Sequence, residues 1–282
     1  MMRIPLTLVE AYVVSKRFNM TISIVINADT RDGFDQDTSS TNGLFSGCKS
    51  VDFLYEGVIN KINFWRGFNT EVIVYIDVHN PLNEELLDDL SEICDTLVIR
   101  RHTSETNFND YNYLRSLYMA SGDIICHVDQ DTMCFAREAQ SPQELIDMLE
   151  TNKFVSYPSP WTPRAVHDES FGKRTWASTR FFICKKEALK FKELENCIKE
   201  PEWGYAKYGD SPRRCNWLEH FLSLVNEDSV FYPPPSPNYT IFSWGNYKVG
   251  TIPILNSMNF EQVNDFVNNN GGIVYPNDLY LR

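Results

Sequence analysis

The sequence predicts an α/β protein with a mostly parallel central sheet flanked by helices. Three observations carry that expectation. Apolar, β-branched runs recur through the first half of the chain, segments with helical spacing lie between them, and three of the four runs reach an aspartate at their ends. Strands that alternate with helices are joined by right-handed crossovers, which leaves neighbouring strands parallel.

The first run, ISIVINA (22–28), breaks into the polar turn Asp29-Thr30-Arg31-Asp32-Gly33 and reads as a buried strand followed by a loop. Residues 31–70 are less regular: a polar tract, DQDTSSTNG (35–43), precedes a mixed segment that predicts a helix inserted after the first strand. EVIVYIDVHNP (71–81) and DTLVIRRH (95–102) read as the second and third strands, and PLNEELLDDLSEIC (81–94) as the helix joining them. NDYNYLRSLYMASG (109–122) predicts a helix stopped by Gly122, and GDIICHVDQD (122–131) a fourth strand. The pattern then changes. SPQELIDMLETN (141–152) predicts a helix, residues 153–161 a strand, 176–189 a strand and helix, 216–237 a helix and strand, 239–244 a strand, and 259–272 a short terminal helix. Aromatics and prolines are thick in the joins.

Whole-chain properties narrow the function. The 282 residues suffice for one large domain, and 43% of them are hydrophobic, as in ordinary globular proteins. No long apolar run and no secretory leader is evident, so a soluble, cytoplasmic protein without stable membrane insertion is expected. Seven scattered cysteines, with no Cys-x-x-Cys pair, argue against a disulfide framework or a zinc ribbon. Lys plus Arg (26) are outnumbered by Asp plus Glu (38), giving a formal charge of −12 that disfavours nucleic acid as a partner.

The stretch IICHVDQDTMCF (124–135) concentrates the chemistry. Carboxylates leave water only when paired or bound to a cation, and Asp129 and Asp131, at i and i+2 of an extended strand, project from one face. Two hard oxygen ligands suit Mg2+ or Mn2+. They also fall at the carboxyl end of a strand, where open parallel sheets bind ligands. His127 shares that face and reads as a core or supporting histidine. Arg115, on the preceding helix, is placed either to meet a phosphate or to pair at the surface with Asp110 or Glu105.

With these features the chain resembles the glycosyltransferases of the A-type (GT-A) nucleotide-sugar-binding fold, most closely the inverting family 2-like members. The matching segments are the first strand with its polar end (22–31), the second strand ending in Asp77, NYLRSLYMASGDIICHVDQD (112–131), and NWLEHFLSLVNEDSVFYPP (216–234). The resemblance implies one GT-A (Rossmann-like) domain over 1–282, with a nucleotide-sugar half (20–132) and an aromatic-rich acceptor half (133–282). It implies that Asp131 is the principal ligand of a Mn2+ or Mg2+ ion and that Asp129 lies near the metal, ribose and sugar. Ala28, Asp29, Arg31, Asp77 and Arg115 would complete the donor site, with Asp77 accepting the uracil imide proton of a favoured UDP-sugar.

In such enzymes an acidic pair supplies the general base, and this chain has Glu219-His220 at the matching place. The base is therefore Glu219, His220 or the nearby Asp210, with Glu219 the first choice and a salt-bridged glutamate beside Arg213 or Arg214 the competing structural role. Trp161 and Trp203, in polar loop contexts, are candidates to stack on a saccharide acceptor. The alternatives are a nucleotidyltransferase, a non-catalytic glycosyltransferase-like binding protein and a metal-dependent phosphoesterase. The first of these would want a glycine-rich basic loop after the first strand, where NADTRDGF offers only Arg31 and one glycine.

Overall fold

The structure is a computed structural model that describes residues 20–29, 54–78, 82–101, 109–130, 132–156, 180–192, 230–231, 233, 236–243 and 258–269. In chain order these form β1 (Thr21–Asp29), α1 (Leu54–Phe64), β2 (Asn69–Val78), α2 (Glu84–Ile93), β3 (Thr96–Arg101), α3 (Asn109–Met119) and β4 (Ile124–Asp129). Then follow β5 (Thr132–Ala136), α4 (Gln143–Met148), β6 (Phe154–Ser156), β7 (Phe181–Lys185), a 3-10 turn (Lys186–Leu189), β8 (Val230–Phe231), β9 (Tyr239–Ser243) and α5 (Phe260–Asn269).

The chain has the mixed α/β fold expected, with a mainly parallel central sheet flanked by helices. Seven strands run in the order β3-β2-β1-β4-β7-β6-β8. β1 is parallel to β2 and β4, β2 is parallel to β3, and β6 is parallel to β8, while β7 runs antiparallel to both β4 and β6. A second, two-stranded sheet pairs β5 with β9. Strands β6, β7 and β8 come from beyond residue 132, so both halves of the sequence build the large sheet.

The continuous apolar character of β1, β2 and β4 follows from their being covered on both faces. On one face Ile22, Ile24, Ile26, Val72, Val74, Ile76, Cys126 and Val128 pack with Leu54, Val58 and Phe64 of α1 and Leu90 of α2. On the other, Val25, Ile73 and Ile125 pack with Leu114 and Leu117 of α3 and with Phe182. Fully burying one such aliphatic side chain contributes about 1.5–3 kcal/mol, so the three central strands hold the framework of the site rigid.

Local chemistry sets the element ends. Asn83 caps α2 by accepting from the Glu85 N–H at 3.0 Å, with Glu84 and Glu85 in the first turn. Past the other end of α2, the Asp95 carboxylate accepts from the Val72 N–H at 2.7 Å and ties the helix exit to β2. At the amino ends of the strands, Glu71 accepts from the hydroxyl of Ser23 and from both the N–H (2.8 Å) and hydroxyl (2.9 Å) of Ser121. Gly122 joins this knot by donating to Ser23 Oγ at 2.8 Å, and a Cβ there would lie 2.6 Å from the Thr21 carbonyl oxygen. Only glycine permits that approach.

The structure shortens two predicted elements. The fourth strand was expected to run through residue 131, but β4 ends at Asp129. The Gln130 N–H donates the last rung to the Asn27 carbonyl at 3.0 Å, and from Thr132 the chain belongs to the second sheet. The helix expected over 141–152 is confined to Gln143–Met148, because the next N–H groups, of Leu149 and Glu150, donate three residues back to Ile146 and Asp147 and tighten the exit into turns.

Candidate functional site

The order β3-β2-β1-β4 places a switch point between β1 and β4: the chain winds outward from β1 through β2 to β3, then crosses back to lay β4 on the other side. Crevices at the carboxyl ends of strands flanking such a point are where open α/β sheets receive ligands. Three aspartates stand at those ends. Asp29 is the register partner of Asp77 on β2, and Asp129 of β4 is the partner of Asn27, two residues before Asp29. Arg100 on β3 is in turn the partner of Asp77. Asp129 is half-buried, and its N–H donates to the Arg180 carbonyl at 3.0 Å, so the end of β4 is tied to the segment entering β7 as well as to β1.

A buried polar chain underlies Asp129. His127, fully buried two residues earlier, stacks on Phe182 with ring centroids 5.0 Å apart and planes 11° from parallel. Its Nε2 lies 2.8 Å from Asn27 Nδ2, which also donates to Ser116 Oγ of α3 at 2.9 Å. His127 is therefore a core residue that fixes Asn27 beside Asp129. Asn27 was not anticipated as part of this site, since its place depends on strand register rather than on any local motif.

A second unanticipated residue lies under the turn that follows. Lys61 of α1 is 1% exposed, and its ammonium donates to the Gly57 and Gln130 carbonyls, each at 3.1 Å. A lysine is buried only when its charge is met by such acceptors. Its sequence position carried a signal: Leu54, Val58, Lys61 and Phe64 fall on one stripe at helical spacing, with a cation where an apolar residue is expected. Beside it Asn60, also buried, accepts the Cys134 N–H at 2.9 Å. Burial drives the Cys134 thiol up to about 12 against the opposing pull of the Lys61 charge, and burial likewise raises Cys126.

The other expected site residues divide into two groups. Ala28 is buried at the end of β1, and Arg115 is exposed on α3 between the buried Leu114 and Ser116. Asp29 and Asp77 are placed by their strands at the carboxyl edge. Arg31, Asp131, Trp161, Trp203, Asp210, Glu219 and His220 lie outside the described residues. Among the described residues no group of three or more His, Cys, Asp and Glu side chains could hold a metal ion. Asp129, at the end of β4, carries a carboxylate, the donor type that Mg2+ and Mn2+ prefer.

No protein-family profile and no curated protein sequence matches the chain. Solved structures do. A crystal structure of TarS 1-349 from S. aureus is similar over 78% of this chain and 60% of that one, at 13% identity and a TM-score of 0.44. Glucosyl-3-phosphoglycerate synthase from Mycobacterium tuberculosis, in complex with Mn2+, UDP and phosphoglyceric acid, is similar over 67% of this chain and 63% of that one, at 17% identity and a TM-score of 0.39. A cytidylyltransferase from Leptospira borgpetersenii is similar over 78% of each chain, at 14% identity and a TM-score of 0.40. This chain thus spans less than two thirds of the first two proteins, and at such identities and scores none of these likenesses assigns an activity.

Proposed function

We propose that the chain is a glycosyltransferase that moves a sugar from a nucleoside diphosphate donor, UDP-sugar favoured, to a hydroxyl of a saccharide or glycan, with inversion. The observation that carries this reading is the set of aspartates at the carboxyl ends of three adjacent parallel strands, Asp77 of β2, Asp29 of β1 and Asp129 of β4, astride the switch point. A diphosphate ligand needs cations to offset its charge, and carboxylates gathered at such an edge suit a divalent ion that bridges to it. Asp129 and Asp131 would hold Mn2+ or Mg2+, which when bound neutralises charge gathering on the departing diphosphate.

The chain's own residues perform the remaining steps. Ala28, Asp29, Arg31 and Asp77 line the nucleoside, Asp77 accepting the base imide proton, and Arg115 meets a phosphate. Trp161 and Trp203 stack on the acceptor sugar. Glu219, or failing it His220 or Asp210, takes the proton of the acceptor hydroxyl as that oxygen bonds to the anomeric carbon and the bond from that carbon to the diphosphate oxygen breaks. One domain over 1–282 holds a donor half (20–132) and an acceptor half (133–282). A reducing, cytoplasmic setting accords with the free thiols of Cys94, Cys126, Cys134 and Cys184, and no described helix is long and apolar enough to cross a membrane.

The test is thermal unfolding with UDP, GDP, CDP and dTDP, each with and without Mn2+. A diphosphate present at a hundredfold its dissociation constant is expected to raise the melting temperature by roughly 5–8 °C, only with the metal, and Asp131→Asn is expected to abolish the rise. Folded protein that responds to none of the four would overturn the reading.

A further inference from the structure

Helix α1 grips the chain where it passes from one sheet to the other. The last rung of the large sheet on this side is the Gln130 N–H to the Asn27 carbonyl, and β5 of the small sheet begins at Thr132. Three buried positions of α1, at i, i+3 and i+4, meet this segment. Lys61 donates to the Gln130 carbonyl, which belongs to the peptide group joining Gln130 to Asp131. Asn60 accepts the Cys134 N–H of β5 at 2.9 Å. Gly57 lets the helix approach closely, since a Cβ there would lie 3.3 Å from the Gln130 oxygen and 3.7 Å from the Lys61 ammonium.

Resting on the glycosyltransferase reading for its functional consequence, we propose that Lys61 is a positioning residue that holds the Gln130 carbonyl and so fixes the carboxyl end of β4, and with it Asp129, toward a divalent cation and diphosphate. A ligating group carried at a strand end loses affinity to the cost of ordering that end unless neighbouring side chains already hold it. An ammonium seated in the core on the helix side of the turn fixes the carbonyl without competing for solvent. Asparagine at 60 and glycine at 57 complete the grip from the same helix face.

The test compares wild type with Lys61→Met, a similar-sized apolar replacement, and with Gly57→Ala, which presses on the turn while leaving the ammonium in place. Amide hydrogen exchange, read by mass spectrometry in ligand-free protein, is expected to speed up at least tenfold in peptides covering 130–134 in both variants, with β1 and β2 peptides unchanged. Mn2+-dependent UDP binding, measured by calorimetry, is expected to weaken at least tenfold with the melting temperature of the free protein little altered. Exchange that is unchanged at 130–134, or raised evenly across the sheet, would overturn the proposal by making Lys61 an ordinary core residue. Wild type that binds no diphosphate defeats the glycosyltransferase reading alone, because the exchange contrast still decides whether Lys61 holds the turn. If Lys61→Met does not fold, the same two readouts on Gly57→Ala decide.

Discussion

A lysine kept from water in a hydrophobic interior is costly unless carbonyls replace its hydration, and Lys61 obtains two. The same interior governs the thiols around it. Cys126, Cys134 and Cys184 are fully buried, and burial raises all three, while Cys94, half-buried, is pushed up to about 12 by burial and by the neighbouring Asp95 carboxylate. Thiolate is the reactive form, so all four are expected to resist iodoacetamide at pH 8 in native protein and to react within minutes in 6 M guanidinium, as mapped by peptide mass spectrometry. Rapid native labelling of Cys126 or Cys134 would mean that the grip of α1 on the 130–134 segment opens readily. Asp129 was legible in the sequence because a charged residue ends an otherwise apolar run. Asn27 was not, because its role arises only when register sets it opposite Asp129 across β1 and β4. Lys61 was half legible: the stripe exposes it as anomalous, but which carbonyl receives it depends on a segment 69 residues away.

At the level of elements, the amino-terminal knot makes stability depend on acidity. Burial disfavours the Glu71 carboxylate, but hydrogen bonds from Ser23, Ser121 and Gly122 outweigh that and hold its pKa below the ordinary glutamate value. A group depressed on folding contributes stability above its unfolded pKa and loses it as pH falls through the folded one. Urea unfolding of wild type and Glu71→Gln is therefore expected to show wild type more stable at pH 7, with the gap narrowing below about pH 4.3. A gap independent of pH would place the contribution elsewhere. The long strands β1 and β2 and the helices α2 and α3 could be read from periodicity alone, each being ten or so residues of consistent pattern. The end of β4 could not, since it is set by the second sheet drawing residues 132–136 toward β9. β6 and β8 fall within the segments 153–161 and 216–237 where strands were expected, but their three and two residues are too few for alternation to place them; β7 offers the edge that β6 joins, and β6 the edge that β8 joins.

For the molecule as a whole, the sheet is shared between the halves that the sequence suggested. β7 seals the side of β4 away from β1, so the carboxyl edge carrying Asp129 is braced by strands that follow it in the chain. Among the described strands, β3 forms one border of this sheet, and nothing in the ladder covers its outer side. Ile99 there is 48% exposed, followed by Arg100 and Arg101 as the last two positions of the strand. An apolar border strand invites a second molecule to extend the sheet, and like charges placed along it discourage that pairing. Arg100→Ser combined with Arg101→Ser is expected to increase self-association at high protein concentration, read by light scattering, and an unchanged hydrodynamic size would show that the border is guarded by something else. On so acidic a chain, a border strand that closes on two arginines in sequence would set like charge against like where one copy met another along β3, so the width of the sheet on that side is expected to be kept by charge as well as by geometry.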